Sequence, residues 1–315
     1  MDDAALEIEA DTEDGGKRLD VVLVRHVEGM SRSRARELTM NGKVRINGRI
    51  GRKSDTVAVG DKIALAELPR ARDFAAAPDP SLELVVLHED RWVVIVDKPA
   101  GVPTHPLREG ELGTAAGALV ARYPEMAGVG YAAREPGIIH RLDTDTSGVL
   151  IAARDVETFE ALREALKSGG FEKRYKALCA GAVSAPQTIS IPLAPHPKDR
   201  RRVIACAHER DVARYNPRPA VTELLTAEAA GDLTLLELIA RTAGRHQIRV
   251  HLAALGHPLA GDTLYEGPEV PGLTRHFLHA SEIAFTHPGT HHALRIRSPL
   301  PADLEAALDT VRSSG

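Results

Sequence analysis

Short apolar runs typical of β-strands dominate the chain from residue 82 to its carboxyl end. They are rich in Val, Leu and Ile and stop at Gly, Pro or charged residues, as in LELVVLHEDRWVVIVDKPAG, GVLIAARD, KRYKALCAG, VTELLTAE, LTLLELIART and SEIAFTHP. Helices are predicted at residues 156–167 and 246–255. Because the strands outnumber the helices and do not alternate regularly with them, the sequence predicts an α+β domain with a mixed, largely antiparallel sheet.

A small α/β module is predicted ahead of this domain. The apolar residues of KRLDVVLVRHV fall on one helical face, and Ser31 is a suitable N-cap for a second short helix. KVRINGRI then alternates charged and apolar residues and turns at Asn47-Gly48, the strongest short hairpin signal. A further strand in DKIALAEL would complete a compact unit.

This module is strongly basic, although the whole chain has a formal net charge of −4. Residues 17–62 contain twelve Lys or Arg and five Asp or Glu, the pattern expected for phosphate binding. Arginines in the first turns of the second helix oppose its dipole, a conflict that bound phosphate would relieve. The residues predicted to contact RNA are Arg32, Arg34, Arg36, Lys43 and Arg45. The alternative is an arginine-rich composition with no such role.

Composition shifts along the chain predict its organisation. The predicted segments are an acidic disordered tail at 1–16, an RNA-binding domain at 17–68, a proline-rich linker at 69–81 and a catalytic domain at 82–315. The acidic start is unlike a signal peptide, and no apolar run approaches the roughly 18 residues that span a membrane. Cys179 and Cys206 form no disulfide framework or metal-finger spacing. We therefore expect a cytoplasmic protein without membrane contact.

The segment IIHRLDTDTSGVLIAA sets charged and hydroxyl-bearing residues between two apolar runs. In an extended backbone, Arg141 and Asp143 share one face, while His140 and Leu142 point to the other. A neighbouring positive charge lowers the pKa of an aspartate, which makes Asp143 a candidate nucleophile or base. The alternative is a tight turn with a structural ion pair.

Two further segments carry candidate binding residues. GRHQIRVHLAALGHP predicts a helix on which Arg245 and Arg249 share a face and could hold a phosphate or a carboxylate. The alternative is a solvated basic face. In EKRYKALCAG, Tyr175 lies between Arg174 and Lys176 and could stack on a base, or could be an ordinary half-buried strand tyrosine.

Motifs for metals and cofactors are weak or absent. His246 with His251, or His276 with His279, could approach each other, but there is no H-E-x-x-H helix. The sequence also lacks a phosphate-binding G-x-x-x-x-G-K loop, a G-x-G-x-x-G turn and a G-x-S-x-G nucleophile elbow. We expect chemistry without a metal or cofactor. A metal-dependent nucleic-acid hydrolase remains a rival interpretation.

The order of five segments resembles one family. VVIVDKPAGVPTHP, GIIHRLDTDTSGVLIAA, EKRYKALCAG, GRHQIRVHLAALGHPLAGDTLYEG and FLHASEIAFTHP are similar to successive signatures of the RluA family of RNA pseudouridine synthases. The basic module resembles the small RNA-binding domain first seen in a small-subunit ribosomal protein, as in RluD-like members that modify large-subunit ribosomal RNA. Together the resemblances cover roughly residues 17–300 and imply an RNA-modifying isomerase. A transfer-RNA substrate and a non-catalytic ribosome-assembly factor are the alternatives.

The resemblance also implies roles for single residues. Asp143 would be the catalytic aspartate, and Arg141 would enter the space left by the flipped uridine. Tyr175 would stack on the uracil, and Arg249 would pair with Asp143. The family pattern T-G-R-x-H-Q-I-R is altered here, because the Gly-Arg pair at 244–245 is displaced by one position. The role of Arg245 is therefore left open, and a monomer is expected.

Overall fold

The computed structural model describes residues 6–27, 30, 32–52, 54–66 and 74–313, without the side chains of residues 32–34 and 37. The chain divides into two compact units, Met1–Phe74 and Ala75–Gly315. Both combine helices with sheet, which confirms the predicted α+β class. Within the described residues, no helix is long and apolar enough to cross a membrane.

The first unit is a four-stranded antiparallel sheet with two helices. Its elements are β1 (Leu6–Glu9), α1 (Leu19–His26), α2 (Arg32–Met40), β2 (Val44–Ile46), β3 (Arg49–Ile50) and β4 (Lys62–Leu65), with strand order β1-β4-β2-β3. Apolar residues of both helices and of the sheet, including Leu19, Leu38 and Ile63, form its buried core. The predicted hairpin is confirmed: Asn47 and Gly48 have φ of 49° and 81°, as a two-residue turn requires.

The acidic amino-terminal segment is part of this unit. The prediction of a disordered tail over residues 1–16 is wrong for residues 6–16, because β1 pairs with β4 and buries Ile8. Asp14 is fully buried, and its carboxylate binds Arg25 and His26 at 2.8 and 2.7 Å. Acidic side chains hid the alternating pattern of this short edge strand; residues 1–5 lie outside the described residues.

The second unit is built on one large sheet. Its strands are β5 (Val85–Glu89), β6 (Val93–Lys98), β7 (Ser147–Ala153), β8 (Phe171–Ala180), β9 (Gln187–Ser190), β10 (Leu193–Pro195), β11 (Val203–Ala205), β12 (Val221–Ala230), β13 (Leu233–Ala240), β14 (Leu278–Thr286) and β15 (Ala293–Arg297). The order in the main sheet is β5-β6-β7-β14-β8-β13-β12-β9, with β15 beside β14, while β10 and β11 form a separate hairpin. Only the β7–β14 pairing is parallel among the described strands, so the predicted largely antiparallel sheet is confirmed.

Five helices and one 3-10 turn accompany this sheet in the described residues. They are α3 (Ala115–Arg122), the turn Pro124–Met126, α4 (Val156–Lys167), α5 (Glu209–Tyr215), α6 (Gln247–Ala254) and α7 (Ala302–Ser313). The structure confirms the helices predicted at residues 156–167 and 246–255. Sequence reasoning missed α3 because its residues 115–120 are all buried, which leaves no polar face to reveal a helical period.

The second unit begins earlier than predicted. Ala76 is buried in its core, and the Ala76 amide donates to the carbonyl of Ala133. The carboxylate of Asp79 accepts a bond from the Gly113 amide at 2.7 Å. The predicted linker at 69–81 is therefore too long at its carboxyl end, although three prolines there suggested irregular chain. Residues 67–73 lie outside the described residues.

Candidate active site

A pocket in the second unit collects the residues that the sequence singled out. It lies between the loop before β7, the strand β8 and the turn that leads from β13 into α6. Arg141, Asp143, Tyr175 and Arg249 all line it, although 108 positions separate the first from the last. The other lining residues used below are His140, Lys173, Thr242 and His246.

The loop that carries Asp143 is held by its backbone. Leu142 is buried and Arg141 is exposed, as the predicted alternation requires. The Thr104 hydroxyl accepts from the Leu142 amide at 3.1 Å and donates to the Leu142 carbonyl at 2.8 Å. The Thr146 amide then donates to the Asp143 carbonyl at 3.1 Å and closes a tight turn. Asp143 is thereby presented at a defined place beside β7.

A buried lysine supports the same turn. Lys98 is fully buried, and its ammonium donates to the carbonyls of Pro99, Val102 and Thr144 at 2.9, 2.7 and 3.0 Å. Burial lowers the pKa of Lys98 to about 7, against the opposing charge of Asp143. Lys98 is thus a positioning residue for the loop. Sequence reasoning missed it, although Lys98 stands in the quoted segment VVIVDKPAG.

Arg249 links two carboxylates. Its guanidinium donates to Asp143 at 3.1 Å and binds Asp262 with two bonds, at 2.7 and 2.8 Å. Burial acts to lower the pKa of Arg249, but Asp262 and Asp143 outweigh it and raise the pKa above its usual value. Asp262 is a functional residue that the sequence analysis missed. It lies in GDTLYEG, where the only signal was an acidic residue in a quoted motif.

Asp143 is ionised in this setting. Its side chain is 16% exposed, and burial acts to raise its pKa. In the acidic range where Asp143 titrates, the positive charges of His246, Arg249 and His276 outweigh burial and lower this pKa. Burial also lowers the pKa of both histidines to about 4, so they are neutral at pH 7. Arg249 therefore supplies the positive charge beside Asp143 under neutral conditions. The Arg141–Asp143 ion pair considered from sequence is not formed in the described chain.

His246 lies at the start of α6 in the left-handed conformation, with φ of 54°. Its Nδ1 bonds the Tyr265 hydroxyl at 2.9 Å, and its Nε2 lies 3.8 Å from the Asp143 carboxylate. Arg245 also lines the pocket, and its guanidinium donates to the backbone carbonyls of Arg200 and Arg201. Arg245 and Arg249 therefore do not form the predicted shared face, because α6 begins only at Gln247.

Tyr175 extends from β8 toward the pocket and is 8% exposed. Burial and then the charge of Asp143 raise the pKa of Tyr175, so its phenol stays neutral. A neutral aromatic ring beside a carboxylate can hold a flat base without competing for the charge of Arg249. Tyr175 is therefore suited to stack on a nucleobase and unsuited to accept a proton during catalysis.

The predicted RNA-contacting residues belong to the first unit. Lys43 and Arg45 are exposed, on the hairpin face that points away from the core. Arg36 is exposed as well, and its guanidinium binds Asp20 at 3.0 Å. The side chains of Arg32 and Arg34 lie outside the described residues, and only their helical backbone is placed.

The histidines once considered as metal ligands are engaged in hydrogen bonds. His251 binds Thr222 and the Ile191 carbonyl through its two ring nitrogens, both at 2.9 Å. His279 binds Ser147 and the Ser298 carbonyl in the same way. These bonds use the atoms that a metal would need.

Within the described chain, two further groups of side chains outside the pocket are close enough together to hold a metal ion. They are His88 with Asp90 and His287, and Asp11 with Asp14 and His26. In the first group, Nδ1 of His287 accepts from two backbone amides, so its Nε2 carries a proton and points it at Asp90. In the second, Arg25 already donates to both carboxylates. Both donor sets are thus satisfied by protein groups.

Comparisons with known proteins agree with this site. Residues 92–254 match the family described as RNA pseudouridylate synthase, and residues 17–63 match the S4 domain. The chain is 34% identical over 310 residues to ribosomal large subunit pseudouridine synthase D of Xanthomonas campestris pv. campestris, covering 94% of this chain and 89% of that protein. It is 37% identical over 301 residues to an uncharacterized RNA pseudouridine synthase of Chloroflexus aurantiacus, covering 93% and 89%.

A solved structure shares the fold. Human RNA pseudouridylate synthase domain containing 1 superimposes with a TM-score of 0.54 at 26% identity, covering 71% of this chain and 87% of that one. The family match spans β6 to α6, the part of the second unit that holds the pocket. This chain therefore belongs to the RNA pseudouridylate synthase family, and is an RNA pseudouridine synthase, an isomerase, with an S4 domain ahead of its catalytic domain.

Proposed function

We propose that this enzyme isomerises uridine to pseudouridine in large-subunit ribosomal RNA and that Asp143 is its catalytic residue. The observation that carries the catalytic assignment is the buried pair of salt bridges that Arg249 forms with Asp143 and Asp262. They present one ionised carboxylate, that of Asp143, in a pocket beside Tyr175. The name of the Xanthomonas relative, which matches nearly the whole chain, supports the ribosomal substrate.

Asp143 acts on the ribose of the target uridine. In one route its carboxylate attacks the anomeric carbon, and in the other it removes a ribose proton; both break the bond to N1 of uracil. The base then turns and rejoins the ribose through C5, the C5 proton is lost, and N1 gains a proton. Rejoining breaks the Asp143 ester in the first route and returns the ribose proton in the second, so Asp143 is again a carboxylate at the end. The reaction is an isomerisation without net oxidation or hydrolysis, and Arg249 stabilises the charged carboxylate of the free enzyme before and after it.

Tyr175 and Arg141 handle the flipped base. Extruding a base from its stack costs a few kcal/mol. Stacking on Tyr175 returns about 1–3 kcal/mol of this. Arg141 is exposed and free of ion pairs in the described chain, so its long side chain is available to enter the space that the uridine leaves.

The S4 domain adds affinity for the phosphate backbone. Arg32, Arg34, Arg36, Lys43 and Arg45 are the proposed contacts, and such contacts bind RNA without reading its sequence. The enzyme works as a monomer, without metal or cofactor, and a ribosomal substrate would place it in the cytoplasm. Light scattering of the purified protein, alone and with RNA, tests the monomer.

Pseudouridine mapping in cells with and without the gene tests this function. Carbodiimide adducts and reverse-transcription stops are compared across large-subunit ribosomal RNA and transfer RNA. We expect one or a few ribosomal stops to disappear without the gene. They return with the wild-type gene or with Asp145→Asn, an exposed carboxylate on the same turn, but not with Asp143→Asn.

Each outcome has a separate meaning. Loss of stops only in transfer RNA would refute the ribosomal substrate and leave the activity standing. Restoration of the ribosomal stops by Asp143→Asn would refute the catalytic assignment. An unchanged map would refute the proposed substrate in these cells.

A further inference from the structure

Lys173 is a charged residue at an interior position of β8. Residues 171, 173, 175 and 177 of this strand face inward, and all four are buried. Three of these are apolar or aromatic, and the fourth is Lys173, which is 5% exposed. Because alternate residues share a face, Lys173 lines the same pocket as Tyr175, about 7 Å further along the strand.

The ammonium of Lys173 is poorly satisfied. Its one hydrogen bond goes to the Thr242 carbonyl at 3.3 Å, and no carboxylate in the described chain pairs with it. Burial alone lowers its pKa to about 8, so the charged form still predominates at neutral pH. Lys98, the other buried lysine, differs because three carbonyls accept its protons. An incompletely paired buried charge is costly, which indicates that Lys173 awaits a partner.

His140 is a second unsatisfied group in the pocket. It is 8% exposed, and neither ring nitrogen has a hydrogen-bond partner in the part of the chain that the structure describes. The Arg141 carbonyl lies nearby but outside hydrogen-bonding geometry. Burial, followed by the charges of Lys173 and Arg163, lowers the pKa of His140 to about 3. The imidazole is therefore neutral and offers one donor and one acceptor.

We propose that Lys173 and His140 bind the carbonyl edge of the flipped uracil and that Lys173 stabilises the negative charge that the uracil acquires when its bond to the ribose breaks. This inference rests on the isomerase activity and not on the identity of the RNA. It makes Lys173 a substrate-binding residue at the base, whereas Asp143 acts at the ribose. The two groups work on opposite ends of the nucleoside.

The positions of the residues fit this division. Lys173 and Asp143 both line the pocket, but Lys173 bonds the Thr242 carbonyl and forms no ion pair with Asp143 in the described residues. A base that stacks on Tyr175 with its ribose at Asp143 can extend its far edge toward Lys173. Uracil has a carbonyl oxygen where cytosine has an amino group, so an ammonium there favours uracil.

The chemistry places negative charge at that edge, which a positive charge stabilises. When the bond between N1 and the anomeric carbon breaks, its electron pair stays on the uracil and is shared between N1 and the two carbonyl oxygens. The anomeric carbon takes an oxygen of Asp143, or the ribose loses a proton to it. When C5 bonds the anomeric carbon, the ester to Asp143 breaks or Asp143 returns the proton to the ribose. The C5 proton then leaves and N1 gains a proton, so the uracil is neutral again. Lys173 keeps its own proton throughout and acts only as a fixed charge and donor.

Single-turnover kinetics and thermal unfolding of the full chain test this inference. The substrate is total RNA labelled with [5-³H]uridine in cells that lack the gene, and release of tritium reports the reaction in any RNA class. We expect Lys173→Met to release tritium about 100-fold more slowly, with an unchanged Kd for RNA. Its Tm equals or exceeds the wild-type value, because a costly buried charge is gone. Lys176→Met, at the neighbouring exposed position of β8, is the matched control and keeps the wild-type rate.

Several results would overturn the inference. A Lys173→Met rate within about threefold of wild type would show that the charge is not used. A lower Tm together with a lower rate would indicate a structural lysine. If Lys173→Met does not fold, Lys173→Gln is compared in the same way and under the same limit. Absence of tritium release by the wild type would refute the activity and this inference together, whereas release from transfer RNA alone would refute only the ribosomal substrate.

Discussion

The buried salt bridges from Arg249 to Asp143 and Asp262 predict a strong effect of Asp262→Asn. Asp262 accepts two of the three hydrogen bonds from the Arg249 guanidinium to carboxylates, and its side chain is 1% exposed. The substitution keeps the size of the side chain but removes its charge. Arg249 then keeps Asp143 as its only carboxylate partner at 3.1 Å.

The magnitude follows from burial. Breaking a buried ion pair typically destabilises a protein by about 3–5 kcal/mol, and the lower value applies because Asp143 still compensates the guanidinium. For a unit of this size, about 3 kcal/mol lowers Tm by roughly 6–12 °C. A misplacement of the catalytic group by about 1 Å costs about 100-fold in rate. We therefore expect both a lower Tm and a slower single turnover.

Thermal unfolding by circular dichroism and single-turnover tritium release measure the two effects. Asp199→Asn is the matched control, since Asp199 also binds an arginine, Arg201, with two bonds, but the Arg201 side chain is 81% exposed. A partly exposed pair contributes about 1 kcal/mol or less. If Asp262→Asn unfolds within about 2 °C of wild type and keeps its rate, the idea that Asp262 positions Arg249 is refuted.

Three further predictions concern a buried lysine, the pH profile and the S4 domain. Lys98→Met should lower the free energy of unfolding by about 2–4 kcal/mol in denaturant titrations, because buried carbonyls lose their donor. The pKa of Lys98 is about 7 in the folded chain and 10.5 when unperturbed, so between pH 7 and 10.5 the unfolded chain binds more protons than the folded chain. The free energy of unfolding of the wild type should therefore rise with pH in this window, relative to that of the variant. The lowered pKa of Asp143 predicts a wild-type rate that does not fall on the acid side down to about pH 5. Arg249→Met should move that limb to higher pH, and an unmoved limb would refute the pairing. Replacing Lys43 and Arg45 by Ala should reduce the salt dependence of RNA binding by about one to two ions in filter-binding titrations; an unchanged slope would exclude both from phosphate contact.

Local patterns in the sequence determined most secondary structure around the site. Strands such as β7 and β8 are apolar runs with clear ends, and α6 is preceded by a tight turn and followed by Gly256 and Pro258. Asn47-Gly48 marked its hairpin because few residues adopt positive φ twice in succession. These features depend on neighbours a few residues away, so they can be read from the chain alone.

The sequence also identified Asp143, Tyr175 and Arg249, because its motifs resemble those of one family. It did not identify the residues that complete the pocket. Asp262 becomes important only because Arg249 binds both it and Asp143. Asp143 lies 106 positions before Arg249 in the chain. Lys173 and Lys98 are both lysines beside apolar strands, and only their partners distinguish them. Burial and hydrogen-bond partners depend on residues distant in sequence. Only the tertiary structure therefore decided that Lys98 donates to three carbonyls and that Lys173 donates to one.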